Sequence, residues 1–149
     1  MNFDFKDVTV YVDKSNDLFF VPHGIWTVHK VTAEVNNIVE LRHPYNTEEL
    51  QSAIEESFKR CYSQEVDNDF PKVTAIEKHL KIKGYKKAIK NKKVVNLHWD
   101  EEGYQVTPTT YSDKKGYVHQ EGNTFFLGKE LNESSLAEAL LKAIRLSEN

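Results

Sequence analysis

Near the start of the chain Val8, Val10 and Val12 alternate with Thr9 and Tyr11; the pattern breaks at a polar run, DKSND at 13–17, and apolar residues resume at 18–21. A period of two on both sides of a short polar run predicts a β-hairpin, because successive strand residues point to opposite faces of a sheet. Pro22 and Gly24 add turn punctuation, and the β-branched stretch 25–41 predicts further strand, interrupted near Asn36 and Asn37. The period then changes. Leu50, Ala53, Ile54, Ser57, Phe58, Cys61 and Tyr62 recur at three and four residues, while Glu48, Glu49, Glu55, Glu56 and Lys59 take other directions. That is an amphipathic helix, with Asn46 as N-cap and Glu49 as its capping-box partner.

Residues 63–72 form a polar connecting segment, followed by a short helical stretch at 74–80, a break at Gly84 and a further helical turn or two in YKKAIKNKK. Sheet returns at 93–111, where two extended runs flank the acidic turn DEEG at 100–103, and residues 114–128 predict another pair of short strands or a strand and a loop. The chain closes on a helix in which Leu136, Leu140, Ala143, Ile144 and Ser147 share a face, with Ser135 and Glu138 placed as a second capping box. Strands, helices, strands and helix in that order imply an α+β fold, a mainly antiparallel sheet with helices packed on it, in one domain spanning 1–149.

Composition narrows the class. A 39% hydrophobic chain of 149 residues suffices for one core rather than two. It has no apolar run near the ~20 residues of a membrane helix, and its start carries acids where a signal peptide has basic residues, so the expectation is a cytoplasmic protein with no membrane partner. Cys61 is the only cysteine and falls on the apolar helix face, which reads as a buried, inert thiol. The net charge of −3 conceals a segregation: residues 1–70 sum to −7, 71–93 to +8 and 94–149 to −4. Such a chain presents two faces of opposite sign, each able to steer a charged partner.

Candidate chemistry is sparse. Six histidines (His23, His29, His43, His79, His98 and His119) permit a small metal-independent endoribonuclease, with two of them as acid and base and a lysine on the phosphorane. No zinc-type spacing occurs; His23 and His29 on an extended strand stand about 20 Å apart, so no metal is expected. Neither G-x-G-x-x-G nor a GK[ST] loop is present and no G-x-S-x-G elbow appears, so no cofactor and no serine nucleophile is expected. The lysine tract at 78–93 is the alternative binding feature, for RNA or for an acidic protein partner. Read as an RNA-binding module it has only Tyr85 for stacking and no arginine fork. Read as a helix, Tyr85, Ala88 and Ile89 turn inward while Lys83, Lys86, Lys87 and Lys90 face solvent, and on that reading no direct nucleic-acid binding is expected.

The segments KKVVNLHWDEEGYQVTPTTYSDKKGYVH, FFLG and SSLAEALLKAIRLS, in that order, resemble the immunity proteins of contact-dependent growth inhibition systems. The early FFVPHGIW is compatible with that family's first strands. The resemblance implies a cytosolic protein that is not an enzyme, and that binds a cognate toxin domain, often a nuclease acting on tRNA or other RNA, to keep it from its substrate. It gives the acidic surplus a physical use, since a nuclease cleft that grips phosphates is basic and an acidic face can enter it as a polyanion mimic. Candidate toxin-binding residues are Asp100, Glu101 and Glu102 on the hairpin turn with Trp99 and Tyr104 beside them, then Glu55 and Glu56 on the first long helix, and Asp67 and Asp69 in the segment after it.

Overall fold

The alternation at Val8, Val10 and Val12 becomes strand β1 (Lys6–Val12), the middle of an antiparallel sheet. In the computed structural model, which describes residues 4–26, 31–64, 66, 73–131 and 134–149, β1 lies between β2 (Leu18–Trp26) and β5 (Lys93–Asp100). The β1–β2 turn is closed by Asp13, whose Oδ1 accepts the backbone N–H groups of Ser15 and Asp17, each at 2.9 Å, while Asn16 takes a left-handed φ of 65°. On the outer side of β2, β4 (Val39–Leu41) pairs with residues 18–20 and β3 (Val31–Glu34) with residues 23–26. Beyond β5 comes β6 (Gly103–Ser112), whose outer side is likewise shared, β8 (Phe125–Gly128) pairing near Tyr104–Val106 and β7 (Gly116–His119) at Thr109–Ser112. A 3₁₀ turn at Glu121–Asn123 links β7 to β8.

Two prolines mark where these outer neighbours change. Pro22 falls between the β4 and β3 ladders, and Pro108 between those of β8 and β7. Their carbonyls point outward, accepting from Val35 N–H at 2.9 Å and Gln120 N–H at 2.8 Å. The missing proline N–H points the same way, into the gap where no ladder carbonyl asks for it, so each proline sits inside a long strand without breaking it.

The two faces of the sheet are covered unequally. Val8, Val10, Leu18, Phe20, Val95, Leu97 and Val106 form one face and are fully buried under α1 (Thr47–Lys59) and α4 (Ser135–Leu146), which contribute Leu50, Ile54, Leu136 and Leu140. Each such side chain contributes about 1.5–3 kcal/mol by leaving water, and together they make the principal core. The opposite face carries Tyr11, Phe19, Val21 and Val94 at one end only, covered by Ala75 and Ile76 of α2 (Ala75–Leu80), Ala88 of α3 (Tyr85–Ala88) and Ile89. The other end of that face has no helix on it among the described residues.

Local capping explains where the helices start. Asn46 Oδ1 accepts Glu49 N–H at 2.7 Å and Glu49 Oε1 accepts Asn46 N–H at 3.1 Å, the capping box expected for α1. α2 has the same device in Thr74 and Glu77. At α4 the expectation is corrected: the helix already includes Ser135, so the N-cap is Ser134, which makes no side-chain bond to the helix backbone; its hydroxyl reaches the Glu138 carboxylate at 3.3 Å instead. Most of the segment 63–72 lies outside the described residues.

The lysine tract packs as an amphipathic unit, with Ala88 and Ile89 buried and Lys83, Lys86, Lys87 and Lys90 exposed. Tyr85 is 37% exposed, its hydroxyl 3.2 Å from that of Tyr11. Lys92 Nζ donates to Ala88 O at 2.7 Å and Lys93 Nζ to Ile144 O at 3.2 Å, so these two cations cap the carbonyl ends of α3 and α4. Glu77, the one acid between 73 and 93, turns inward to accept Gly84 N–H at 3.0 Å and Thr74 Oγ1–H at 2.9 Å. Burial raises the pKa of this carboxyl, but the bonds from Gly84 and Thr74 outweigh it and the net shift is downward.

Candidate functional site: a polar cleft with an acidic rim

Strand alternation that sends three valines of β1 into the main core sends Asp7, Thr9 and Tyr11 to the opposite face. The register aligns Thr9 with Asn96 on β5 and Asp7 with His98. His23 of β2 and Glu34 of β3 face each other on one side, and His119 of β7 lies opposite Thr109 of β6 on the other. Because α2 and α3 cover only the tyrosine-rich end, these polar groups other than His98 line an open cleft of about 410 Å³. This polar surface is made by the same strands that hold the core, and their backbones are fixed by ladders on both sides.

His23 and His119 line the cleft, while His98, paired with Asp7 outside that lining, stands in an electrostatic setting opposite to that of His23. His23 Nε2 and Thr9 Oγ1 are 2.8 Å apart; burial pushes the His23 pKa down, against a smaller upward pull from Asp7. The result is a neutral ring that exchanges hydrogen bonds. His98 is clamped at both nitrogens, Nδ1 at 2.8 Å from Asp7 Oδ1 and Nε2 at 3.0 Å from Asp100 Oδ2. The Asp7 hydrogen bond raises its pKa, burial opposes, and the charge of Asp7 and the Asp100 contacts add to the rise. With a carboxylate within hydrogen-bond distance of each nitrogen, both ring nitrogens are committed to Asp7 and Asp100.

Asp100 carries this clamp to the β5–β6 turn. Its Oδ1 accepts Glu102 N–H at 2.8 Å, and that bond, followed by the one from His98, lowers its pKa. Gly103 closes the turn at φ 115°, and a β-carbon there would overlap the Gly128 carbonyl of β8, so only glycine fits. Glu101 and Glu102 are exposed at the tip. Trp99 and Tyr104 pair across the strands on the other face, half-buried: Tyr104 meets Phe58 of α1 edge-on at 5.6 Å, and Lys6 Nζ lies 5.8 Å over the Trp99 ring. The hairpin therefore presents its acids at the tip and holds its aromatics against the body.

The remaining candidates lie elsewhere. Glu55 and Glu56 are exposed on α1, which covers the core face of the sheet; Glu56 pairs with Arg60 at 3.2 Å, and Arg60 also bonds the 37–38 backbone. Glu55 lines a separate groove with Glu48 and Glu138. Asp67, Asp69 and His29 lie outside the described residues. Cys61 is buried, its Sγ 3.3 Å from Asp7 O, and burial raises its pKa as an inert thiol requires. Among the described residues no group of three potential ligands is placed to hold a metal ion, and no lysine lines the cleft beside its histidines.

No protein family matches the chain, and no curated protein matches it in sequence. Two solved structures share its fold over nearly the full length. One is a protein of unknown function, NMB0488, from Neisseria meningitidis, with a TM-score of 0.72 at 12% identity, covering 99% of each chain. The other is a chain of the CdiA-CT/CdiI toxin and immunity complex from Yersinia pseudotuberculosis, with a TM-score of 0.70 at 8% identity, covering 97% of this chain and 98% of that one. At such identities the likeness is one of fold: the eight-stranded antiparallel sheet with its helices is the architecture of a chain found in a toxin–immunity complex.

Proposed function

We propose that this chain is an immunity protein of the contact-dependent growth inhibition kind: a cytoplasmic, stoichiometric inhibitor that binds a cognate toxin domain, a nuclease acting on tRNA or other RNA, and turns over nothing itself. The full-length fold match to a chain of a toxin–immunity complex carries the reading, and the residue pattern from Lys92 onward points the same way. The site chemistry agrees with it. His98 has both nitrogens committed, the described cleft residues include no lysine, and what they offer is a dense set of hydrogen-bonding groups, suited to recognition.

In this reading the acidic hairpin is the first contact. Glu101 and Glu102 stand free in water, while Asp100 beneath them is tied through His98 to Asp7, so the turn is held in one shape before binding and less ordering entropy is lost on association. Opposite charge on the toxin's phosphate-binding cleft speeds encounter. The Phe58–Tyr104 contact brings α1 alongside the hairpin, so Glu55 and Glu56 extend the acidic surface, with Asp67 and Asp69 as further contacts. The test is co-expression with the toxin domain encoded beside this chain's gene: cells survive toxin induction and the two proteins copurify one to one. Absence of both protection and copurification refutes the proposal, and RNA cleavage by the isolated chain, lost on replacing His23 or His119, establishes the endoribonuclease reading instead.

A further inference from the structure

The lysine tract has a feature that a solvated helix face does not require. Lys81, Lys83, Lys86, Lys87 and Lys90 are all exposed, and none pairs with an acidic side chain among the described residues. The acid best placed to neutralise them, Glu77, is withdrawn into the N-cap of α2 and the Gly84 backbone. Elsewhere the chain carries a surplus of acids, yet this unit is assembled so that its positive charge stays uncompensated on a short, well-anchored scaffold. Like charges held together repel, and the cost is offset when a polyanion binds across them.

Next to these cations lies a hollow of about 350 Å³, the size of a small-ligand site. Lys86, Lys90 and Lys92 line it on one side and Tyr111 and Tyr117 on the other, with Asp113 at its wall. The two rings are half-buried with centroids 4.9 Å apart, and Tyr117 is fixed by its hydroxyl bond to Lys92 O at 2.8 Å. Stacking surface was what the tract lacked when read as sequence, with Tyr85 alone inside it. The fold supplies it from β6 and β7.

We infer that this face binds single-stranded RNA, with the exposed lysines along the phosphate backbone and one unpaired base in the tyrosine-lined hollow. An acidic protein segment would satisfy the lysines equally but leaves the hollow unused, whereas every base has a π-face for an aromatic wall. Lysine without arginine gives point-charge contacts to phosphate, so the surface reads charge and single-strandedness rather than sequence. This inference stands apart from toxin binding, which is proposed for the acidic hairpin, and its test uses the chain alone.

A fluorescein-labelled 12-nucleotide single-stranded RNA of mixed sequence is titrated by anisotropy between 50 and 200 mM salt. Five phosphate contacts give a slope of log affinity against log salt of about −3.5, a loss of roughly 100-fold over that range. The K86Q/K87Q/K90Q variant, whose three substitutions are at exposed positions, retains its thermal unfolding profile, and its slope falls to about −1.4, a loss of roughly 7-fold. Tyr111→Leu weakens binding at fixed salt by about 5-fold or more while leaving the slope unchanged. Three results each overturn the inference: no binding at 50 mM salt, an unchanged slope in the triple lysine variant, or displacement of the RNA by polyglutamate of matched charge as readily as by unlabelled RNA, which makes the face one for acidic protein.

Discussion

Replacing Asp7 with Asn tests whether the hairpin is held by charge. The substitution keeps the shape of residue 7 and removes the largest influence on His98, the hydrogen bond from its Nδ1 at 2.8 Å. A hydrogen bond between charged groups contributes about 1.5–3 kcal/mol, and because solvent reaches the ring edge, screening brings the expected value near 1 kcal/mol. The sign of the pH dependence comes from the direction of the shift. The folded-state pKa of His98 is raised above its ordinary 6.5, so its stabilisation is fully present below that value and is lost as pH rises through the folded pKa. Urea denaturation from pH 5.5 to 9 therefore shows the native chain ahead of Asp7→Asn by about 1 kcal/mol at the acid end, with the gap narrowing above pH 6.5. In parallel, an NMR titration places the His98 midpoint lower in the variant, and backbone amides of 100–103 lose exchange protection. A His98 midpoint identical in the two proteins, or a stability gap that does not change with pH, refutes the clamp.

The same geometry sets other outcomes. Charge reversal by E101K/E102K slows toxin association several-fold at low salt with no change in melting temperature, since both side chains are exposed; association rates unchanged across a salt series remove the hairpin from the interface. Glu77→Ala removes the carboxylate half of the α2 capping box and the Gly84 anchor, costs about 1–2 kcal/mol and raises hydrogen exchange across 75–92 while leaving α1 protected. Because the Glu77 pKa is lowered, its contribution is present above the unfolded value near 4.5 and is lost as pH falls through the folded one, so the variant and the native chain converge in acid. Leu140→Ala, at a site with no exposure between α4 and the sheet, destabilises by about 2–5 kcal/mol in chemical denaturation.

What could be read from the sequence was local. The β1–β2 hairpin, the Asn46–Glu49 box and the β5–β6 turn at DEEG depend on residues close in the chain, and their period and turn chemistry carry the information. The Asp7–His98 bond spans 91 positions and depends on which strand lies beside β1, a matter of sheet order that periodicity does not encode. A signal for the cleft was nonetheless present: Asp7, Thr9, Asn96 and His98 are the polar members of two alternating runs whose apolar members fill the core, so both strands announce a wet second face. The hollow beside the lysines was hidden for the same reason, since Tyr111 and Tyr117 reach α3 from strands far along the chain. At α4 the one-residue displacement of the cap came from two adjacent serines of equal capping preference.

The two strand prolines also limit how the sheet can misassemble. Sliding a neighbouring strand by two residues keeps every apolar side chain on its proper face, so hydrophobic patterning alone does not forbid it. Such a slip along β2 or β6 would bring a ladder carbonyl opposite a ring nitrogen that has no hydrogen to give. Pro22 and Pro108 thus work as alignment pins, rejecting near-miss pairings that burial by itself would tolerate.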